Sequence, residues 1–438
     1  MSYRESQPQQ PRVGWLYDGN DETPHIGVAF SDSEESGIQL SIPLRDVTET
    51  YWQWFHHGTS GSMSGTETSP VQELPSVLQF HDAQGPVVLV GCRVTGLHTD
   101  FNVGTGRIGA RYAVLGAQNL NYQHVNGMRT VIPHLAAWMG AQITERETQT
   151  DAKGLVTGLT VTANPPEPIS LDSDGNLSLQ GSFSTKTDLK SGTTLISDHM
   201  QVMTYGSTAE TWETHLQKHR AFVDLLTVAA WQPSGFKALE VVRDDDLHPH
   251  PNGQAARWLP VTTYSLPRPE SDERIPQFLF TYRDIGTSGL TKWIDLRRQH
   301  ARTLITFAQI PRMQTTTIES QLIQSSIALE FLGFDLAEPD NLVKGQLKFR
   351  KGLEIVHQSL GFNAVRNPEA WMTHATRVYR AIKHPDNTPP ESLDLINVLR
   401  DNITVLRCWV AIQLGVDPSD LQERLARDRQ ASARYEEA

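Results

Sequence analysis

Up to about residue 290, apolar and β-branched residues fall in short runs at 87–94, 111–115, 155–161, 177–183, 239–243 and 278–282. Glycine, proline and asparagine punctuate them. Runs of this length and make-up predict strands, and their regular spacing predicts a sandwich-like, β-rich unit. One stretch breaks the series. Residues 210–230 place Leu216, Val223, Leu226 and Ala230 at helical spacing, which predicts a single helix with one apolar face. Beyond 290 the period lengthens, and helices are predicted over 292–310, 317–334, 342–360, 368–383, 392–414 and 419–426. The chain is therefore expected to be α+β, with a β-rich region over 1–290 and an all-α antiparallel bundle over 291–438. Thr388-Pro-Pro-Glu391 has the spacing of a capping box and is expected to open the longest helix.

The fourth of these helices carries the most chemistry. Asn367 suits an N-cap, Pro368 suits the first helical position, and Pro385 disfavours helix in the residue before it, so the helix should end at 383 or 384. Trp371, Ala375, Val378 and Ile382 form one apolar stripe that should face the core. Arg377, Arg380 and His384 project from the other side, Arg377 and His384 being separated by about 20° of rotation. An imidazole exchanges protons near neutral pH and a guanidinium neutralises charge on phosphate oxygens, so the pattern fits metal-free phosphodiester cleavage. A solvated helix face accounts for the same residues without chemistry.

With 438 residues, 38% hydrophobic and 20% charged, the composition is that of an ordinary globular protein of two or three domains. No apolar run approaches the roughly 20 residues of a membrane span, and the first residues are polar, which points to a cytosolic protein without membrane contact. The net charge of −12 opposes a general nucleic-acid coat, but it is unevenly placed. From Thr291 onward 19 basic residues face 18 acidic ones, against 19 and 32 before it, so the C-terminal part can still meet a polyanion. The two cysteines, Cys92 and Cys408, lie in apolar segments and read as buried thiols rather than a disulfide or zinc site.

Other local patterns read as structure. Gly104-Thr-Gly106-Arg-Ile-Gly109 has dinucleotide-fingerprint spacing without a following helix, and a glycine-rich β-turn is expected. Asp244-Asp-Asp-Leu-His-Pro-His250 reads as a solvated loop and not a metal site. Trp52-Gln-Trp-Phe-His-His57 reads as an edge strand with buried aromatics, and residues 58–69 as a flexible surface loop. No Gly-x-Ser-x-Gly elbow, P-loop or His-Glu-x-x-His is present.

Arg377, six intervening residues and His384, late in a helix of an all-α bundle, resemble the Arg-x4–6-His motif of HEPN domains. Residues 318–330, with an internal glutamate, and 349–356 are similar to that family's first two helices, while 212–229 followed by 239–242 resembles the end of the β-rich domain of ApeA-type anti-phage HEPN proteins. The resemblance implies a metal-independent, cofactor-free endoribonuclease of abortive-infection defence, with a sensing or regulatory β domain and a phage-derived trigger. It also implies a homodimer or larger assembly with a composite site, and RNA as substrate, transfer RNA being one candidate. Carried over, Arg377 stabilises the phosphorane-like charge and His384 is the acid or base, its place at the negative end of the helix dipole suiting an acid. The 2′-hydroxyl attacks the phosphorus to leave a 2′,3′-cyclic phosphate. Arg380 and Lys383 are the RNA phosphate contacts, although Arg380 is also an alternative functional arginine. The position after the arginine, usually polar in the family, is Val378. A non-catalytic binding or dimerisation bundle is the alternative that this departure favours. A β domain that binds carbohydrate or a phage protein is a third.

Overall fold

The computed structural model describes residues 11–19, 25–44, 51–55, 73–100, 103–172, 174–268, 274–313, 315–337, 347–384 and 386–432. The expected loop at 58–69 lies outside them. A β-rich region is followed by a helical one, as the change of periodicity predicts. Fourteen strands form one sheet in which every neighbouring pair is antiparallel. One half begins at the two-residue edge strand Ile169–Ser170 and passes through the hairpin Leu177–Asp188 and Thr193–Thr211 to His124–Val131, Ala238–Val242 and Leu259–Thr262. The other runs from Tyr112–Leu115 through Gly85–Val90, Val77–Asp82, Arg12–Tyr17, His25–Ser33, Gly37–Leu44 and Val103–Ala110 to Arg93–Asp100.

Eleven α-helices are described: α1 (Trp52–Phe55), α2 (Leu135–Met139), α3 (Trp212–Ala230), α4 (Tyr282–Gln299), α5 (Ala301–Gln309), α6 (Ile318–Leu336), α7 (Phe349–Leu360), α8 (Pro368–Lys383), α9 (Ser392–Gln413), α10 (Pro418–Leu425) and α11 (Arg429–Ser432). The sheet half around Arg12–Tyr17 closes its own core over Leu16, Phe30, Leu40 and Phe80, with Tyr51 and Trp54 packed in. The other half shares a continuous core with α3 and the bundle, running from Val202 and Met128 through Phe222 to Trp293, Leu329 and Trp409. Residue 290, where the sequence changes texture, lies within α4.

Helix α3 joins the two regions. Thr211 caps it by accepting from the Thr214 N–H at 3.3 Å. At its far end Arg407 of α9, 1% exposed, donates to the Val228 and Ala229 carbonyls at 2.9 and 2.8 Å while its charge is met by Asp428 at 3.0 Å. A guanidinium thus satisfies carbonyls that the last turn leaves open. Arg297 of α4 meets the buried Asp224 at 2.7 Å, and the Trp293 indole donates to the Ala221 carbonyl at 2.7 Å.

The structure corrects several sequence expectations. Residues 278–282 form no strand, because the Phe280 carbonyl accepts from the Trp138 indole, the Leu279 N–H goes to the Ala229 carbonyl, and Thr281 begins α4. The helical span therefore starts ten residues earlier than the expected 292, is broken by a kink at Gly286 (φ 60°, ψ −169°), and divides at His300 into α4 and α5. α7 begins at Phe349, residues 342–346 of its expected span lying outside those described. The Thr388-to-Glu391 capping box does not form, since Glu391 is itself the N-cap of α9 and makes no side-chain cap bond. The aromatic run is a helical turn, α1, rather than an edge strand, and Trp52 and Trp54 are buried as expected. Gly104, Gly106 and Gly109 lie inside a strand, not a turn: a Cβ on Gly106 would stand 2.1 Å from the Phe55 ring, so the glycine leaves room for α1 to lie on the sheet. The acidic run is also more than a solvated loop, as Asp246 is buried and accepts from the Tyr122 hydroxyl at 2.6 Å and the Gln118 N–H. Cys408 is buried as expected, whereas Cys92 is only half-buried.

Candidate functional site on helix α8

Helix α8 has the predicted bounds. The Asn367 side chain accepts from the Ala370 N–H at 3.1 Å and Pro368 occupies the first turn. The helix ends at His384, whose backbone leaves the helical region (φ −126°, ψ 104°) while its N–H still bonds the Arg380 carbonyl at 3.1 Å. Trp371, Met372, Ala375, Val378 and Tyr379 are buried and Ile382 is half-buried against the same core, so the apolar stripe faces inward.

A buried polar junction fixes the rotation of α8. The Trp371 indole donates to Asn402 Oδ1 at 2.9 Å, and Asn402 Nδ2 donates to the Ser325 hydroxyl of α6 at 3.1 Å. Asn402 is fully buried on α9, so three helices meet through one satisfied amide, an arrangement that tolerates little rotation. Nearer the surface, Arg350 of α7 bonds Thr373 at 2.8 Å and pairs with Glu369.

Arg377, Arg380, Lys383 and His384 are all exposed. Arg377 pairs with Asp394 in the first turn of α9 at 2.5 Å, the guanidinium side chain remaining 60% exposed. Lys383 donates to the Tyr379 hydroxyl at 3.3 Å and lies over its ring, and that hydroxyl donates to Glu330 of α6 at 2.9 Å. Burial, followed by the neighbouring carboxylate, pushes the Tyr379 phenol well above its ordinary value, so it remains a neutral donor. The Arg380 and His384 side chains make no hydrogen bond or ion pair among the described residues. Thus the four residues share one helix surface, but two are tethered to neighbouring helices and two are open to solvent.

Asp394 and the Tyr379–Glu330 pair were missed as contacts in sequence. The former could have been found by placing the first turn of α9 beside α8, the neighbour required by the short connection. The latter had a weaker signal: Tyr379 and Lys383 are four residues apart, but the bond to Glu330 depends on how α6 lies against α8.

Such a surface can bind a polyanion through Arg380, Lys383 and Arg377, and it offers one imidazole for proton transfer. Among the described residues no group of three or more histidine, cysteine, aspartate or glutamate side chains could hold a metal ion. The same residues include no helix long and apolar enough to cross a membrane.

Residues 12–293 match the family model described as ApeA N-terminal domain 1. The chain belongs to that family. The match covers the whole described sheet, α3 and most of α4, and ends inside the helix where the texture of the sequence changes. No curated protein and no solved structure matches the chain. The helices carrying the candidate site therefore follow an ApeA N-terminal domain, with α3, α4 and the Arg407 contact binding the two regions together.

Proposed function

We propose that this ApeA-type protein acts in anti-phage defence, to which its family points, and that its helical region is a HEPN endoribonuclease. The observation carrying the second part is the disposition of α8, which buries Trp371, Ala375 and Val378 and turns Arg377, Arg380, Lys383 and His384 to solvent. Arg380 and Lys383 hold the RNA backbone, and Arg377 neutralises charge gathering on the phosphate oxygens as the 2′-hydroxyl attacks. His384 gives a proton to the departing 5′-oxygen or takes one from the 2′-hydroxyl, leaving a 2′,3′-cyclic phosphate. A second copy of the chain supplies the complementary proton-transfer group. In this reading residues 1–290 form the sensor and 291–438 the effector.

The test is incubation of the purified full chain with total RNA, with and without EDTA, beside His384→Ala and Arg377→Ala. Cleavage should survive EDTA and fall about 10²-fold or more in each variant, with folding intact because neither side chain fills core volume. A His384→Ala protein that cleaves RNA and protects cells like the wild type would defeat the proposal.

One observation favours a second reading, in which the bundle binds RNA or its own copy without cleaving. Among the described residues nothing orients the His384 ring, whereas a catalytic base is normally held by a third group, and Arg377 is already engaged by Asp394. Persistent, salt-sensitive RNA binding without cleavage would select this alternative.

A further inference from the structure

The only non-glycine residues with positive φ among those described are His134 (φ 64°) and Trp231 (φ 53°), and both line the same cavity of about 340 Å³. Bulky side chains rarely adopt this conformation, and such residues persist where the surrounding fold holds them, often at ligand sites. The cavity lies where the two regions of the chain meet. One wall comes from the segment entering α2, another from the end of α3, and the third from Ile310, Pro311 and Gln321 of the bundle.

Its shape follows from its neighbours. Trp231 ends α3 and stacks on Phe307 of α5, with ring centroids 4.8 Å apart. Arg312 donates to the Ser234 carbonyl at 2.8 Å and fixes the opposite loop, while its charge is balanced by Asp224 at 3.9 Å. Arg312 thus holds the wall without being one of the lining side chains. The volume lies near the lower end of the roughly 300–1,000 Å³ typical of small-molecule sites.

The lining chemistry narrows the ligand. Trp231, Phe278 and the rings of Pro133, Pro233 and Pro311 present flat or C–H-rich surfaces suited to an aromatic ring. The polar residues of the lining are His134, Gln232, Ser234 and Gln321. Gln321 Nε2 is committed to the Met313 carbonyl at 3.0 Å, leaving its amide oxygen to accept from a ligand. Among the described residues no lysine, arginine, aspartate or glutamate lines the cavity, so these residues offer neither a fixed counter-charge for a phosphate nor a partner for an ammonium.

We propose that this junction is a binding site for an uncharged planar heterocycle with adjacent hydrogen-bond donor and acceptor groups, of the nucleobase or nucleoside class. The inference is independent of RNA cleavage. A ligand there touches the end of α3 and the start of the bundle at once, and so reports to both regions.

The experiment titrates the full chain with adenosine, guanosine, cytidine and uridine and with their 5′-monophosphates, followed by calorimetry and ligand-observed NMR. At least one nucleoside should bind, and its monophosphate should bind tenfold or more weakly. Gln321→Leu and His134→Gly should each weaken the nucleoside tenfold or more, with the melting temperature of each variant recorded to show that the fold survives; glycine accepts the positive φ at 134 without strain. Absence of nucleoside binding, tighter binding of the monophosphates, or unchanged affinity in both variants would overturn the assignment.

Discussion

Asp394 pairs with Arg377, the arginine proposed to act on the phosphate. The Arg377–Asp394 pair is short but largely solvated, and such pairs contribute roughly 0–1 kcal/mol to stability, so its influence on binding should exceed its influence on folding. Asp394→Asn is expected to leave the unfolding free energy within about 1 kcal/mol of wild type and to tighten RNA binding several-fold, as Arg377 is released to a phosphate. Filter binding at two salt concentrations checks this, and an affinity unchanged at both would show that the pair does not compete with RNA. A different residue pair sets the acid limit. His219 is fully buried, bonded by Thr130 at 2.7 Å and Thr204 at 2.9 Å, and burial lowers its pKa to about 3; His215, bonded to the same Thr204, is lowered by burial as well. Both histidines are neutral in the fold and protonate more readily when unfolded. Their stabilisation is therefore complete above the ordinary pKa of 6.5 and is lost as pH falls from there, for His219 down to about 3. Each contributes up to about 1.4 kcal/mol per pH unit. Melting temperature should already decline between pH 6.5 and 5, before most carboxylates protonate. A flat profile across that interval would contradict the assignment. The candidate residues were legible because exposed chemistry on a helix follows from spacing alone. Asp394, Asn402 and Glu330 were not, since their contacts come from other helices whose relative rotation is set by packing.

At the scale of elements, legibility followed the strength of local signals. α8 has a side-chain cap, a proline at its start and an unbroken stripe, and its ends were read to within a residue. The run at 278–282 carries equally β-favouring residues but does not become a strand, because its backbone groups are taken by Trp138 and by α3. Such partners lie far away in sequence, so no local pattern announces them. The glycines at 104, 106 and 109 show the converse, since their spacing matches a ligand loop while they lie inside a strand, where Gly106 admits the Phe55 ring and Gly109 the Thr95 side chain. Gly106→Ala is expected to cost about 1–3 kcal/mol, in the range of overpacking, as its Cβ meets that ring. Denaturant unfolding would measure the loss, and an undisturbed midpoint would mean that α1 is held too loosely to matter.

The molecule as a whole is tied across the change of texture by Arg407. The division of function proposed at residue 290 therefore has no counterpart in separate cores, since Met128 and Val202 belong to the same buried cluster as Leu329 and Trp409. Removing the guanidinium from this buried pair leaves Asp428 without its counter-charge and the Val228 carbonyl without its side-chain donor, while the Ala229 carbonyl keeps the Leu279 N–H, so Arg407→Ala should destabilise by about 3–5 kcal/mol. Calorimetry of the wild type should show the region around α3 and the bundle melting in one transition, with the variant's transition moved down. Two well-separated transitions, only one of them sensitive to the substitution, would mean that the regions unfold independently. Sequence could place the two textures but not this tie, because a lone arginine in an apolar helix gives no sign of what it reaches.

Arg407 follows the Val228 carbonyl it binds by 179 residues. During synthesis the β-rich region and α3 leave the ribosome long before that side chain exists, and the end of α3 waits unfinished while α4 to α8 are made. A nascent chain consequently carries the residues of α8 before the architecture that holds them is complete. For a protein whose proposed activity would attack the RNA around it, the order of synthesis itself delays the fully assembled surface until α9 has been made.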